Sequence, residues 1–209
     1  MKLKQFTVKG LYNTFDYTIS FFSDVTFLHG ANGCGKTTIL NIITDILSGN
    51  LTRLQHYDFK EVRLEYINSH KKAKFISIIK QDDTHLIRFQ NREFTTLTSV
   101  ILAIKAEFQD NYILSSTPNH FLEVLNNFYT TRQLSSGEKR LLTLLSNLAS
   151  NNTKNIVYLI DKPEYSLHID WQLKLVDALF QLNPKVQLII TTHSPDIISH
   201  YDSKAIRLL

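Results

Sequence analysis

GANGCGKTT, Gly30 to Thr38, is the stretch whose reading decides the fold. It matches G-x-x-x-x-G-K-[ST], and its flanks are those the motif needs. Before it, DVTFLHG (24–30) is a short apolar run meeting a glycine, as a buried strand does when it enters a loop; after it, KTTILNIITDILSG (36–49) is apolar at helical spacing and ends in a C-cap glycine. Glycines let the backbone curl so that successive N–H groups point inward at anionic oxygens, and the helix start adds its dipole. The context predicts a phosphate-binding loop in which Asn32, Gly33, Cys34, Gly35, Lys36, Thr37 and Thr38 surround the phosphates of ATP. Lys36 would reach the β- and γ-phosphates, and Thr37 would offer its hydroxyl to Mg²⁺.

Working outward, KLKQFTVKG and TFDYTISFF alternate apolar with polar residues, as half-buried strands do, and KEVRLEYINS, AKFISIIK and HLIRFQ read as an antiparallel meander. TLTSVILAIKAEFQ is helical in period, YILSSTP is a strand stopped by proline, and NHFLEVLNNFY is a short helix. The remainder alternates helix and strand: SGEKRLLTLLSNLAS capped by Ser135 or Ser136, the apolar strand NIVYLID, the helix IDWQLKLVDALFQL, the strand VQLIITTHSP, and a short close. Alternation of this kind implies crossovers and a parallel sheet. The fold class is therefore α/β, a P-loop NTPase with a parallel core sheet flanked by helices and an N-terminal antiparallel β subdomain. One domain is expected over 1–209, with antiparallel parts near 1–29 and 58–91.

The 209 residues carry 43% hydrophobic side chains, enough for a sizeable core, and a formal net charge of +4. That charge permits contact with DNA or RNA without arguing strongly for it. The single cysteine, Cys34, excludes an internal disulfide. MKLKQFTVKG lacks the apolar core of a secretory signal, and no apolar run approaches the roughly 18 residues of a membrane span. A cytoplasmic protein with no membrane partner is the expectation.

YLIDKPEYSLH, 158–168, ends an apolar strand at Asp161, which is placed to complete a magnesium shell beside the strand of the loop. LSSGEKR, 134–140, opens a helix, and TTHSPD, 191–196, follows a buried strand. Phosphate loop, LSSGE, Asp strand and His, in this order, resemble the ATP-binding-cassette ATPases over nearly the whole chain. DKPEYSLH with TTHSP narrows the resemblance to the OLD/RecF/SMC-like (AAA_21-like) branch. About 15 residues separate Pro118 from the signature, so the helical lid, within about 116–150, is reduced to one short helix, and no coiled-coil arms are present.

The resemblance implies an ATP hydrolase that works as a homodimer closed head to tail around two ATP molecules. Ser135, Ser136, Gly137 and Glu138 of one copy would meet the γ-phosphate held by the other, and His193 would sense that phosphate. It also implies a separate effector chain, such as a nuclease, in a DNA-repair or phage-defence complex. Where the family places its water-activating Glu, this chain has Lys162. An ammonium has no lone pair at neutral pH and cannot serve as a base. Glu164 is the nearest carboxylate; in an extended segment it would point the same way as Lys162. Slow hydrolysis follows as the expectation, with a non-hydrolysing ATP-sensing scaffold that holds an effector inactive as the alternative. A transporter motor is disfavoured by the stunted lid. Tyr12 and Phe15 lie where relatives present a side chain to adenine, His70, Lys71, Lys72 and Lys74 read as an exposed hairpin turn, and the glutamine that joins magnesium to the lid in relatives has no clear counterpart in SSTPNH (115–120).

Overall fold

The computed structural model describes residues 1–81, 84–89, 92–94, 97–108, 111–114, 134–152 and 154–209. The short helix expected in NHFLEVLNNFY, and with it the reduced lid and SSTPNH, lie outside the described residues.

The alternating N-terminal runs form one antiparallel sheet. Strand β1 (Lys2–Leu11) pairs with β2 (Phe15–Ser20) on one side and β4 (Glu61–Ile67) on the other. Beyond β4 come β5 (Ala73–Gln81), β6 (Thr84–Phe89) and β7 (Arg92–Glu93), giving the order β2-β1-β4-β5-β6-β7 among the described residues. The inward face is apolar: Val62, Leu64 and Tyr66 alternate with half-exposed neighbours along β4.

Among the described residues the second sheet comprises β3 (Val25–Gly30), β8 (Tyr112–Leu114), β9 (Val157–Asp161), β10 (Gln187–Thr191) and β11 (Ala205–Leu208). These pair parallel, in the order β11-β3-β10-β9-β8. Strand β3 falls inside the stretch expected to be antiparallel, which instead ends at Ser20. The continuous apolar character of β9 has a direct cause, burial on both faces. Val157 and Leu159 join a core with helix α1 (Lys36–Ser48) and the antiparallel sheet. Tyr158 and Ile160 join a second core with α3 (Ser136–Ala149) and α4 (Ile169–Leu182). Helix α1 lies in the first core; Ile39, Ile42, Ile43 and Ile46 are fully buried there, beside Val100, Ile104 and Phe108 of α2 (Leu97–Phe108). Each such side chain contributes about 1.5–3 kcal/mol by leaving water.

One expectation is corrected by this topology. Asp161 does not lie beside the loop strand, because β10 is inserted between β3 and β9. Gln187–Thr191 is buried at every position, as a central strand covered on both faces must be.

Gln187 also joins the two sheets. Its side chain is fully buried; Oε1 accepts from Leu3 N at 2.7 Å, and Nε2 donates to Leu3 O at 2.9 Å and Phe22 O at 2.7 Å. Gln187→Ala strands these backbone groups without water. Urea unfolding is expected to show a loss of about 2–3 kcal/mol, against about 1 kcal/mol for an ordinary exposed hydrogen bond.

Candidate functional site

Gly35 explains how the loop turns into helix α1. It is the N-cap residue at φ 91°, and a Cβ there would lie 2.8 Å from Leu11 Cδ2, so only glycine fits. No side chain caps α1 and no acidic residue occupies its first turn. The helix thus presents N–H groups and its positive pole to the loop.

Lys36 is 4% exposed and folds back over the loop, its Nζ donating to Gly30 O at 3.0 Å and Ala31 O at 2.7 Å. The Cys34 sulfur, also buried, lies 3.5 Å from the same ammonium. Thr37 Oγ1 donates to the Asp161 carboxylate at 3.1 Å. The end of β9 is therefore drawn to the start of α1 despite the intervening strand. Thr191, at the end of that strand, fills the gap by donating its hydroxyl to Asp161 Oδ1. A hydroxyl and a carboxylate side by side are hard oxygen donors, the set Mg²⁺ takes while phosphate and water complete its shell. Thr37 and Asp161 fit such an ion, and Lys36 with the α1 N-terminus fits the phosphates it accompanies.

A cavity of about 130 Å³ opens over this floor, lined by Tyr12, Asn32, Gly33, Gly35, Lys36, Thr37, Thr38, Lys162 and His193. Of the two aromatic residues considered for adenine, Tyr12 is at the cavity, with its hydroxyl in hydrogen-bond contact with Thr38 Oγ1. Phe15 stacks on Tyr17 instead, ring centroids 5.6 Å apart, and does not line the cavity. Tyr12 sits at φ 54°, in a turn after β1 that sequence periodicity does not reveal.

The segment after Asp161 is not extended. Lys162 takes φ 45°, held by its N–H donating to Thr191 O at 2.9 Å and Thr191 Oγ1 at 3.2 Å, and residues 163–166 turn. Glu164 therefore does not run parallel to Lys162. Its Oε2 accepts from Thr192 Oγ1 at 2.9 Å, and its Oε1 accepts from His193 N at 2.8 Å. Both oxygens fix the segment that carries His193, and Ser194 extends the network through Gln172 at 2.6 Å. The Lys162 ammonium rests 5.6 Å from the ring centroid of Tyr165.

Partial desolvation at the cavity rim lowers the pKa of the exposed His193 from the ordinary imidazole value, and the positive charges of Lys36 and Lys162 lower it further, against Glu164 and Asp161. The neutral ring thus persists to lower pH than usual, and the cation appears only below that range. Following the imidazole signals by NMR, Lys162→Met is expected to raise this pKa, since a repelling charge is removed.

Ser135, Ser136, Gly137 and Glu138 stand apart from this cavity. Ser135 caps α3: Glu138 N donates to Ser135 Oγ at 3.2 Å, and Glu138 accepts from Ser135 N at 2.7 Å, a capping box. The bond from Ser135 N, together with one from Ser135 Oγ to Glu138 Oε2 at 2.8 Å, holds the Glu138 pKa down. Gly137 is buried, and a Cβ there would stand 2.1 Å from Ser166 O, so α3 docks directly on the turn that follows Asp161. Arg140 adds a second tie, donating to Asp161 O at 3.1 Å. Ser136 and Arg140 face Asp161, Lys162, Tyr165 and Ser166 across a neighbouring groove. In the hairpin, His70, Lys71 and Lys72 are exposed, whereas Lys74 is half-buried in an ion pair with Glu107 at 2.7 Å. That contact is invisible locally, because Glu107 lies on α2. Among the described residues no helix is long and apolar enough to cross a membrane.

The chain is similar to known proteins over most of its length. Over 160 residues, 68% of this chain, it is 28% identical to the "Retron Vc95 probable ATPase" of Vibrio cholerae, of whose length it spans 31%. It is 26% identical over 220 aligned positions, covering 96% of this chain and 78% of the relative, to a "Putative ABC transporter ATP-binding protein" of Methanosarcina acetivorans. The SMC head domain from Thermotoga maritima superposes with a TM-score of 0.68 at 16% identity, over 97% of this chain and 93% of that one, which shows a shared fold. The family described as "AAA domain, putative AbiEii toxin, Type IV TA system" (AAA_21) matches residues 81–199, more than half of the chain. The chain belongs to that family and is a P-loop ATPase domain of the ABC, OLD/RecF/SMC type.

Proposed function

We propose that this domain binds Mg·ATP in the cavity above Thr37 and Asp161, dimerises around the bound nucleotides, hydrolyses them slowly, and so regulates a separate effector chain in a nucleic-acid-directed repair or phage-defence complex. The observation that carries the reading is the pairing of Thr37 with Asp161 beneath Lys36, Lys162 and His193. Thr37 and Asp161 would hold the Mg²⁺, which would offset the negative charge of the phosphates. The chain's own part is to align and hold. Lys36 exchanges the carbonyls of Gly30 and Ala31 for phosphate oxygens, the α1 N-terminus donates N–H groups, and Glu164 keeps His193 at the rim.

Dimerisation supplies what one copy lacks. The exposed Ser135 and Ser136 open a helix N-terminus that does not line the cavity of its own chain, so a second copy would bring it to the phosphate. Regulation then follows from nucleotide bridging two subunits and its loss parting them. The defence context is supported by the retron relative's name alone, and the effector by the family resemblance.

The decisive experiment measures mass in solution with and without Mg²⁺ and a non-hydrolysable ATP analogue. A nucleotide-dependent dimer is expected for the wild type. Ser135→Arg should still bind the analogue as a monomer, and Lys36→Ala should lose binding by about 100-fold or more, as removal of a buried charge-assisted contact implies. A wild type that binds but never dimerises contradicts the proposal. Lys162 also favours a second reading, an ATP-sensing scaffold that holds its effector inactive without turnover. ATP consumption stimulated by DNA supports the first reading; binding without consumption supports the second.

A further inference from the structure

We propose that Lys162 is a second phosphate-binding cation of this site, closing on the terminal phosphate of the bound triphosphate and making the site select ATP over ADP. The inference rests on the cavity being the nucleotide site.

Placement comes first. Lys162 lines the same cavity as Lys36, Thr37, Thr38 and His193 and also the neighbouring groove with Tyr165, so it stands where the two meet. Its backbone is already committed: the left-handed φ of 45° and the two hydrogen bonds to Thr191 fix the Cα at the end of the strand pair β9–β10. Only side-chain torsions are needed to bring the ammonium to a ligand.

The ammonium is also available. The carboxylate two residues on, Glu164, has both oxygens turned to Thr192 and His193 rather than to the Lys162 ammonium. The ring of Tyr165, over which the ammonium rests, is 61% exposed, and a cation held by an exposed ring at 5.6 Å is readily drawn away by a phosphate dianion. The field of Lys162 already reaches the cavity rim, since it acts on the His193 imidazole.

Selectivity follows from charge. Lys36 is positioned to serve the β- and γ-oxygens together, so it cannot by itself distinguish the two nucleotides sharply. A cation whose partner exists only in the triphosphate adds its full contribution to ATP and little to ADP. A carboxylate at this position would do the reverse, repelling the γ-phosphate while serving water. The residue thus converts a hydrolytic position into a retaining one.

Titration calorimetry with Mg²⁺ and either a non-hydrolysable ATP analogue or ADP tests this on the wild type and on Lys162→Met, Lys162→Gln and Lys162→Arg. Affinity for the analogue is expected to fall about 10- to 100-fold in the Met and Gln variants, with ADP changed less than about 3-fold, and to be kept by Arg, as loss of one charge-assisted hydrogen bond implies. Circular dichroism verifies folding, and two neutral variants of different shape guard against one failing to fold. Equal losses for both nucleotides, or no loss for either, would overturn the inference while leaving the cavity reading intact. A wild type that binds neither nucleotide, indistinguishable from Lys36→Ala, would overturn the cavity reading and the inference with it.

Discussion

Lys162→Glu is expected to raise ATP turnover by about 100-fold at saturating nucleotide, the lower end of what a positioned general base contributes. The substitution places a carboxylate on the wall of the cavity that Lys36, Thr37 and His193 already frame. It adds no new backbone strain, because the left-handed φ of 45° is equally unfavourable for lysine and glutamate and is held by Thr191 rather than by the side chain. The carboxylate would share the cavity with the Lys36 ammonium, which favours its ionised form. Affinity should move the other way, since a charge attracted to phosphate is exchanged for one repelled by it. Single-turnover cleavage separates the two effects: the limiting rate rises while the half-saturating ATP concentration also rises. A wild type that already cleaves ATP rapidly, with the variant slower, would falsify the assignment of Lys162 as the residue that holds turnover down. Glu164→Gln is the informative companion. Glu164 contacts the Thr192–His193 segment through both oxygens, so its loss should disturb His193 rather than remove a base.

Gly137→Ala is expected to lower the thermal midpoint by about 5 °C, taking an overpacking cost of about 1–3 kcal/mol in a chain of this size. The clash is with backbone, which is why it cannot be relieved by a rotamer change. The new Cβ would stand 2.1 Å from Ser166 O and 3.2 Å from Ser166 C, in a turn whose Ser166 is itself left-handed at φ 67°. Helix α3 must therefore lift away from the turn that follows Asp161. Arg140, one turn further along the helix, would lift with it and release Asp161 O. The functional consequence is a displaced carboxylate beneath the cavity, so nucleotide affinity should fall with stability. Trp171, the single tryptophan of the chain, lies 3.7 Å from the position of that Cβ and reports the movement as a shift in emission. Ser136→Ala, at an exposed neighbour, is the control and should stay within about 0.5 kcal/mol of the parent. An unchanged midpoint and unchanged emission in Gly137→Ala would show that the helix does not dock as described.

These two residues illustrate what could be read locally. LSSGE announces a helix start in its own letters, since Ser135 and Glu138 are three apart and close a capping box. That the glycine between them must be a glycine is not in those letters, because the atom that forbids a side chain is 29 residues away, in Ser166. Likewise the departure at Lys162 is plain in the sequence, but the direction of Glu164 is not. By sequence alone a segment following a strand reads as extended. The turn that replaces it is set by Thr191 and His193, which belong to another strand and its loop.

By itself the sequence determined the elements and the chemistry that lives within one element or one loop. The helices 36–48, 136–149 and 169–182, the buried strands ending at Asp161 and Thr191, and the phosphate loop before Lys36 all rest on spacing over a few residues, where hydrogen bonding and side-chain period are local. Only the tertiary structure decided that β10 parts β3 from β9, that Thr191 bridges to Asp161, that Tyr12 rather than Phe15 reaches the cavity, and that Gln187 joins the two sheets. Each of these is a contact between segments far apart in the chain. Such contacts are chosen by which arrangement buries the most apolar surface while leaving no polar group without a partner, a balance struck over the whole molecule at once.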